Sequence, residues 1–492
     1  MILFIPVILP LSAIVLLLFS YRRERLQQLI SIVSMGILTL LAAYILWLVM
    51  KHGPFAMQAG AWPAPFGITF VADLFSAIML LTTALLSLLV TIYSTGFLDR
   101  TRRKAGFYIL IHGLIGGVNG SFLTGDIFNL YVWFEVMLIS SFVLMTLGAE
   151  KKQLRGSIKY VVLNLVGSVI FLTAIGLIYG KTGTLNMADL AVRLRESEHI
   201  ELINSSLMLF FIAFGIKAAL FPFFFWLPAS YPTPPVAITA FLAGTLTKVG
   251  VYVIIRFYCL FVISDINVFY YLVMGIAGIT MVSGVLMAAS SYDIRKILSF
   301  HIISQIGYMI MGLGLATVAG LGGAIYFMVH NMLSKTATFM AGGLMYKYRG
   351  TYNLHALGSI YRDFPLLAFL FLLPALSLAG IPPLPGFFGK LFLIYGGFTE
   401  GAWIITSIAI AVSIITLFSM IKIWNEAVWK NPPGKETGMQ KNPLPPSAFY
   451  ATIAMVVLII LFGLATGHLS DHFFEAGRQV LDAGLYINTV IK

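Results

Sequence analysis

Long apolar stretches follow one another along nearly the whole chain of 492 residues. Each is about 20 residues long, the length that an α-helix needs to cross the hydrocarbon core of a bilayer. No hydrophilic stretch between them is long enough to form a separate soluble domain. The pattern therefore predicts an all-α polytopic membrane protein that forms a single integral membrane domain over residues 1–492. About fourteen spans are expected, near residues 2–20, 28–50, 70–98, 106–124, 126–148, 157–180, 203–227, 235–260, 268–289, 296–316, 319–345, 364–398, 401–424 and 446–467.

Composition supports the same class of protein. Hydrophobic residues make up 59% of the chain and charged residues only 10%, against about 25% charged residues in an average soluble domain. The first apolar stretch, MILFIPVILPLSAIVLLLF, lacks a basic n-region and a small-residue cleavage site, so we expect a retained span rather than a signal peptide. The single cysteine, Cys259, excludes an intrachain disulfide and a CxxC redox pair. No GxSxG, P-loop or paired His/Cys ligand set is present, so the sequence predicts no cofactor, no metal site and no enzyme active site.

Basic residues alternate between the connecting loops. Of the 31 lysines and arginines, 20 fall in odd-numbered loops and seven in the even-numbered loops and the tail, with Arg256 counted among those seven. By the positive-inside rule the odd loops are cytoplasmic and both termini lie outside. Most of the net charge of +12 is therefore a topology signal, and it does not indicate a nucleic-acid partner.

Six charged groups remain inside the predicted spans, together with three histidines. An ionisable side chain at the centre of a bilayer costs about 2.5–3.5 kcal/mol even on the lowest scale, so six of them indicate a function. The alternative is a membrane scaffold that conducts nothing. These residues are Lys217, Lys248, Lys335, Lys390, Asp73 and Glu135, with His112, His301 and His330.

Two of the lysines lie beside prolines in apolar runs. Lys217 and Pro222 belong to GIKAALFPFFFWLP, and Lys390 follows Pro382 in LAGIPPLPGFFGKLFLIYGG. Proline breaks a helix, and broken helices inside membranes are tolerated where they face protein or a water-filled cavity. One interrupted span in each half of the chain is typical of an inverted-repeat transporter. Snorkelling of Lys217 to the surface is the alternative, disfavoured by the position of this residue within its span.

Two interpretations are open for Glu135 and for the group of Lys335, His330 and His301. Glu135, in NLYVWFEVMLISSFVLM, either carries a proton in partnership with a lysine or clamps two helices by hydrogen bonding. Lys248 follows small residues that allow close helix approach. Lys335, His330 and His301 either form a hydrated proton chain or make satisfied interhelical hydrogen bonds.

Two further alternatives concern the histidines and Asp73. A bis-histidine haem between His301 and His330 is disfavoured, because nothing else in the sequence suggests haem. Asp73 lies near the start of a span, where it is either interfacial or paired with a basic group.

Five of these motifs together resemble the antiporter-like subunit family. They are WFE in the fifth span, GIKAALFPFFFWLP in the seventh, TLTKVG in the eighth, DIRKILSFHIISQIGYM in the tenth and GIPPLPGFFGK in the twelfth. The family includes proton-pumping membrane subunits of respiratory complex I and large subunits of Mrp-type multisubunit cation/proton antiporters, and the likeness is greatest to the D-type Mrp subunits. It implies two inverted five-helix repeats, spans 4–8 and 9–13, with helices 7 and 12 broken. The expected segments are spans 1–3 over 1–105, the repeats over 106–260 and 268–430, and a last span with a tail over 446–492.

The resemblance also implies a function. Glu135 and Lys217 correspond to the charge pair of the first half-channel, Lys248 to the central relay and Lys390 to the lysine of the second half-channel. The chain is then expected to move protons in a multisubunit Na⁺/H⁺ antiporter of the cell membrane, with H⁺, Na⁺, other subunits and lipid as partners. The alternative is a proton-pumping subunit of a complex I-like or hydrogenase-like redox complex.

Two positions depart from the pattern of the family. Many relatives read WLPxAH after the seventh span, where this chain has WLPASY and thus Tyr231 in place of a histidine. Gln305 likewise replaces a histidine in the tenth span. Neither side chain titrates near neutrality. A proton route copied from relatives is therefore interrupted at both points, and His301 or His330 is the expected substitute.

Overall fold

The computed structural model describes residues 1–196, 200–261, 266–431 and 442–491. The described residues are almost entirely helical, which confirms the predicted fold class. Three of the lysines assigned to loops or the tail, Lys435, Lys441 and Lys492, lie outside the described residues. The main helices are α1 (Ile5–Phe19), α2 (Glu24–His52), α3 (Leu74–Phe97), α4 (Tyr108–Leu123), α5 (Ile127–Thr146), α6 (Lys151–Thr182), α7 (Met187–Glu196), α8 (Ile200–Ala218), α9 (Trp226–Ser230), α10 (Val236–Phe261), α11 (Ile266–Ser290), α12 (Ile294–Leu315), α13 (Val318–Arg349), α14 (Pro365–Ala379), α15 (Pro385–Thr399), α16 (Trp403–Ile423), α17 (Pro446–Leu464), α18 (Thr466–Leu481) and α19 (Ala483–Ile491).

Twelve helical stretches of the described residues are long and apolar enough to cross a membrane. The two other predicted spans, 319–345 and 364–398, fall on α13 and on the consecutive pair α14 and α15. Helix α13 is 32 residues long but carries buried polar side chains at its centre, and α14 and α15 are each 15 residues long. The number of fourteen spans stays a prediction.

Some elements lie outside the predicted spans. A short antiparallel hairpin joins β1 (Phe55–Gln58) to β2 (Thr69–Ala72), directly before α3. After the last predicted span, α18 packs an apolar face against α13 and α3, with Phe473 and Val480 buried. The region expected as a tail therefore contains two helices, α18 and α19. Charged residues alternate with the periodic apolar positions of α18, which makes it an amphipathic helix rather than a span.

Helices α10 and α13 form the centre of the molecule. Every residue of the apolar window of α10 is buried, and α13 contacts α10, α12, α15 and α18. The two central helices approach closely where α10 has a glycine: a Cβ added at Gly244 would lie 2.4 Å from the Thr336 Oγ1 atom. This confirms the expectation that small residues before Lys248 allow close packing. The two central lysines thus lie on helices whose middle turns are buried within the protein.

The assignment of Arg256 to an even-numbered loop is wrong. The loop pattern places it among the residues outside the spans, but it lies within α10 and is only 7% exposed. Its guanidinium pairs with the carboxylate of Asp73, the residue that caps the N-terminus of α3. Of the two alternatives for Asp73, the structure therefore shows the ion pair. Its partner is Arg256, which the loop pattern places outside the spans.

Candidate functional site

The first helix break lies directly after Lys217. Helix α8 ends at Ala218, and Ala219 has a positive φ of 60°. The Nε1 atom of Trp226 donates a hydrogen bond of 3.0 Å to the carbonyl oxygen of Ile216 in the last turn of the helix, which also accepts from the Ala219 N–H. Pro222 falls in the break, as the sequence predicted.

Lys217 is buried between α5, α6 and α8, in mostly apolar surroundings. Its Nζ atom donates to the Ser168 hydroxyl at 3.1 Å and lies 5.6 Å from the centre of the Phe134 ring. A cavity of about 10 Å³ adjoins the lysine and is lined by Tyr160 and Asn164 as well. This volume matches the space that one buried water occupies, and the lining offers such a water polar partners.

Glu135 lies on α5, next to Phe134, without touching Lys217. Its Oε1 atom is buried and has no hydrogen-bond partner among the described residues, which also show no ion pair between Glu135 and Lys217 within 4.0 Å. The carboxylate nevertheless acts electrostatically on Lys217. The two side chains are therefore coupled through space and are not locked together.

The second break holds Lys390 in a different way. Helix α14 ends at Ala379, Gly380 adopts a left-handed conformation with φ 92°, and Pro382 falls in the break before α15. The Nζ atom of Lys390 reaches back to the carbonyl oxygens of Leu378 and Ala379, at 3.0 and 2.9 Å. It therefore binds the negative end of the α14 dipole, a position that favours a cation.

A close contact between the two half-helices fixes this geometry. A Cβ added at Gly386, in the first turn of α15, would lie 1.7 Å from the backbone oxygen of Ser377 and 2.8 Å from Cε1 of His330. We expect Gly386→Ala to destabilise the protein by about 1–3 kcal/mol, because a backbone clash of this kind is relieved only by moving α14 away from α15. The midpoint of unfolding in mixed detergent micelles measures the effect.

Gly36→Ala is the matched control. Gly36 lies inside α2, and an added Cβ there meets no atom within 4 Å. Alanine in a helix is favoured over glycine by roughly 0.5–1 kcal/mol, so the control is expected to be neutral or stabilising. Equal midpoints for the two variants would show that the half-helices are not in tight contact.

Lys248 and Lys335 lie between the two breaks, fully buried on α10 and α13. The Nζ atom of Lys248 donates to the carbonyl oxygen of Ala243 at 2.7 Å, and that of Lys335 donates to the carbonyl oxygen of Leu298 on α12 at 3.3 Å. The positive charges of Lys248 and Lys390 both act electrostatically on Lys335. The structure thus places three of the four lysines in one electrostatically coupled group.

His330 and His301 accompany this group. His330 Nδ1 lies 3.2 Å from the hydroxyls of Ser334 and Ser377, and its Nε2 atom has no partner among the described side chains and backbone. His301 Nε2 lies 2.9 Å from the Ser419 hydroxyl, while its Nδ1 atom is likewise unpaired within the described ranges. Each imidazole ring thus keeps one nitrogen without a partner in a buried polar region. The hydrogen-bonding capacity of neither ring is fully satisfied.

The remaining sequence candidates behave differently. His112 Nδ1 contacts the carbonyl oxygen of Tyr108 in its own helix, away from the lysine group. Tyr231 is buried, and its hydroxyl donates to the carbonyl oxygen of Leu242 at 3.4 Å. Both polar side-chain atoms of Gln305 are buried without a partner in the described part of the chain. Gln305 therefore offers hydrogen-bonding capacity in the place of a histidine, although it cannot carry a proton near neutrality.

Asp73 and Arg256 lie apart from the lysines, near the other end of α10. The pair is bidentate: Nη1 is 2.6 Å from Oδ2, and Nη2 donates to Oδ1 at 2.8 Å. The Tyr486 ring of α19 lies 5.4 Å from the guanidinium carbon, and the Tyr252 hydroxyl accepts a further contact at 3.3 Å. This pair ties α3, α10 and the C-terminal helices together.

Serine hydroxyls are the part of the site that the sequence does not reveal. Each buried lysine of the two breaks has one: Ser168 beside Lys217 and Ser413, at 2.9 Å, beside Lys390. Serines are frequent in membrane helices, where they commonly bond their own backbone, so a single sequence does not distinguish these two. Only the tertiary packing identifies them.

The chain matches two family profiles. Residues 124–416 match the profile described as NADH:quinone oxidoreductase/Mrp antiporter, TM. Residues 57–108 match the profile described as NADH-Ubiquinone oxidoreductase (complex I), chain 5 N-terminus. The first match alone covers more than half of the chain and includes both breaks and all four buried lysines.

Individual relatives match over almost their full length. The chain is 41% identical over 488 residues to the D subunit of the Na(+)/H(+) antiporter of Alkalihalophilus pseudofirmus, covering 99% of each chain. It is 38% identical over 488 residues to the protein of the same name in Bacillus subtilis, again covering 99% of each. Among solved structures, a chain of the Mrp complex from Dietzia sp. DQ12-45-1b superposes with a TM-score of 0.93 at 30% identity, covering 100% of this chain and 99% of that one.

Proposed function

The chain belongs to the NADH:quinone oxidoreductase/Mrp antiporter transmembrane family, and on this basis we propose that it is the D-type subunit of a multisubunit Na⁺/H⁺ antiporter and moves protons across the cell membrane. It acts as a transporter subunit and not as an enzyme. Its partners are the other subunits of the complex, H⁺, Na⁺ and the surrounding lipid.

One observation carries this proposal. The four lysines Lys217, Lys248, Lys335 and Lys390 are at most 7% exposed, and in the described part of the chain none has a carboxylate within 4.0 Å. Their amines are held by hydroxyls and carbonyl oxygens, which accept a hydrogen bond without neutralising the charge. A proton can therefore leave or join each amine without the rupture of an ion pair. Purely structural lysines at such depth are expected in paired form.

We propose a route that follows these lysines. Ionised Glu135 favours a proton on Lys217, and movement of the carboxylate away from the lysine sends the proton towards Lys248. The proton then passes the region of Lys335 and His330 and reaches Lys390. Each step requires only a population shift between two states that differ by a few kcal/mol.

The two inverted repeats of spans 4–8 and 9–13 are part of the proposal, and local geometry supports them. Asp126 caps α5, and its backbone forms an isolated antiparallel β-bridge with Asn186. Asp293 caps α12, and its backbone forms the same kind of β-bridge with Asn353. The second set lies 167 residues after the first (126 to 293, 186 to 353). The 32-residue helices α6 and α13 are displaced by the same interval (151 to 318).

We also propose that both termini lie outside and that the odd loops are cytoplasmic, as the basic residues predict.

Substitution of the charge pair tests the function. In everted vesicles that carry the whole complex, Glu135→Ala and Lys217→Ala are each expected to lower Na⁺-driven pH changes at least about tenfold, because the first proton-carrying group or its electrostatic partner is gone. The amount of assembled complex is measured in the same vesicles. Exposed Lys181, at the end of α6, provides the control Lys181→Ala, which is expected to transport normally. Normal transport by both charge-pair variants would refute the proposed function.

The redox alternative has less support. It rests on the shared family, whereas the relatives with 41% and 38% identity over 488 residues are named as components of antiporters. Purification of the native complex separates the two possibilities. Small hydrophobic subunits that co-purify favour the antiporter, and iron–sulfur or flavin subunits favour the redox complex.

A further inference from the structure

The end of the second half that we propose to be cytoplasmic contains a polar column, and the route above uses only its innermost residue, Lys335. Helices α11, α12, α13 and α16 meet there, and their polar side chains follow one another from the helix ends inward. Lys422 lies one residue before the end of α16, and Ser419 lies one turn deeper. His301 on α12 contacts Ser419, and Lys335 on α13 contacts the backbone one turn before His301.

Lys422 forms the outer end of this column. Its half-buried side chain donates to the carbonyl oxygens of Ala289 and Ser291, both at 2.6 Å, where α11 ends. The ammonium also lies 4.7 Å from the centre of the Tyr292 ring. Lys422 thus reaches solvent at the helix end while its stem leads towards the interior.

His301 forms the inner end. One ring nitrogen, Nε2, contacts the Ser419 hydroxyl at 2.9 Å, and the other, Nδ1, is buried without a partner in the described chain. An imidazole with a partner on one side and a free nitrogen on the other can take a proton at one atom and release it at the other. Its surroundings are cationic: Lys335 from α13, Lys390 from α15 and Lys422 from α16 all act on it.

The other elements packed against α12 add no competing carboxylate in the described ranges. Helix α11 carries no titratable side chain after Tyr271, and α9 carries none. Helix α10 contributes Lys248, whose charge acts on Lys335, and α13 contributes His330 besides Lys335. The structure thus shows one contact, between Ser419 and His301, with Lys422 three residues from Ser419 on the same helix and Lys335 bonded to the backbone one turn from His301. Among the described residues Lys422 makes no hydrogen bond to Ser419, and Lys335 makes none to His301.

We propose that Lys422, Ser419 and His301 form a cytoplasmic proton port that joins Lys335 directly to the cytoplasm. A proton passes from the Lys422 ammonium through the Ser419 hydroxyl to His301 Nε2 while Nδ1 gives its own proton to the neutral amine of Lys335, so no imidazolium persists among the surrounding lysines. The imidazole returns to its first tautomer before the next transfer. Lys422 regains a proton from water. All steps are reversible, so the port serves transport in either direction. The inference rests on the proposed function, because it requires Lys335 to belong to the proton route.

Four variants test the port in everted vesicles, where the cytoplasmic face is outside. His301→Gln and Ser419→Ala are each expected to lower Na⁺-driven proton transport about tenfold. They are also expected to change the dependence of the rate on external pH, while the dependence on internal pH stays. Lys422→Arg keeps the donors to the α11 carbonyls but cannot release a proton, so it loses transport like Lys422→Gln.

Controls separate this proposal from its structural alternative and from the proposed function. His468→Gln changes an exposed histidine of α18 and is expected to transport normally. If Lys422→Arg transports like the wild type, Lys422 only caps α11 and the port is wrong. Ser419→Ala removes a single hydroxyl, so it reports on the port even if His301→Gln fails to assemble. Loss of transport in Lys217→Ala with wild-type rates in Ser419→Ala and Lys422→Arg would overturn the port alone, whereas normal transport in Lys217→Ala and Glu135→Ala would overturn the proposed function.

Discussion

Lys390→Arg is expected to assemble normally and to lose Na⁺-driven proton transport by about 100-fold, as a positioned proton-transfer group would. Arginine retains the positive charge and donors that can reach the carbonyl oxygens of Leu378 and Ala379. It does not release its proton in a protein. The substitution therefore keeps the electrostatic cap of α14 and removes only the transfer of a proton.

Lys390→Ala gives the complementary result. It removes the lysine donor from the Leu378 and Ala379 carbonyl oxygens at a buried helix end and leaves Ala379 with the Ser413 hydroxyl as its side-chain donor, so both stability and transport are expected to fall. Loss of transport without loss of stability in Lys390→Arg would identify Lys390 as a proton carrier and not only as a structural cap. The measurement is the initial rate of acidification or alkalinisation in everted vesicles, normalised to the amount of assembled complex.

The control for this pair is Lys347→Arg, at the exposed end of α13. It makes the same chemical change where no transport role is proposed, and its rate is expected to equal that of the wild type. Wild-type transport in Lys390→Arg would show that Lys390 acts only as a fixed charge at the end of α14, and the second half-channel would then need another proton carrier.

Both helix breaks could be predicted from the sequence because proline and glycine act locally. Pro222 and Pro382 remove backbone donors and clash with the preceding turn wherever the chain folds. The depth of the lysines followed in the same way, since a charge inside a 20-residue apolar run has few other positions. These features depend on neighbours in the chain, and the structure confirms them.

The partners of the lysines could not be predicted, because they come from distant helices. Ser168 is 49 residues from Lys217 in the sequence, and Ser419 is 118 residues from His301. Nor does the sequence reveal that Glu135 and Lys217, expected as a pair, are separated in this conformation while Lys217 contacts Ser168. Such distances depend on helix rotation and tilt, which tertiary packing sets.

Arg256 shows why counting charges by loop has a limit. It lies close to the end of a predicted span, where arginines commonly extend towards the interface. Instead its guanidinium turns inward to Asp73, in a pocket closed by Tyr252 and Tyr486. No local pattern indicates this contact, since Asp73 and Arg256 are 183 positions apart and the helix that covers them follows the last predicted span.

The buried pair leads to a strong thermodynamic expectation. Asp73→Asn keeps the helix cap of α3, because asparagine caps as well as aspartate, but leaves the Arg256 charge uncompensated. Arg256→Met removes the charge with little loss of volume and leaves Asp73 unpaired. Each single variant is expected to lower the free energy of unfolding by about 3–5 kcal/mol, because a buried charge loses its partner.

The double variant Asp73→Asn/Arg256→Met is expected to recover most of this loss, since no buried charge remains and the apolar methionine packs among Phe75, Tyr252 and Tyr486. Unfolding midpoints in mixed micelles measure the coupling energy. The exposed pair Lys430–Glu426 supplies the comparison: Glu426→Gln is expected to cost no more than about 0.5 kcal/mol, as is usual for such helix pairs. Additive losses in the Asp73 and Arg256 variants would mean that the two side chains stabilise the protein independently, through the α3 cap on one side and the aromatic rings on the other, and that the ion pair does not hold the C-terminal helices against α10.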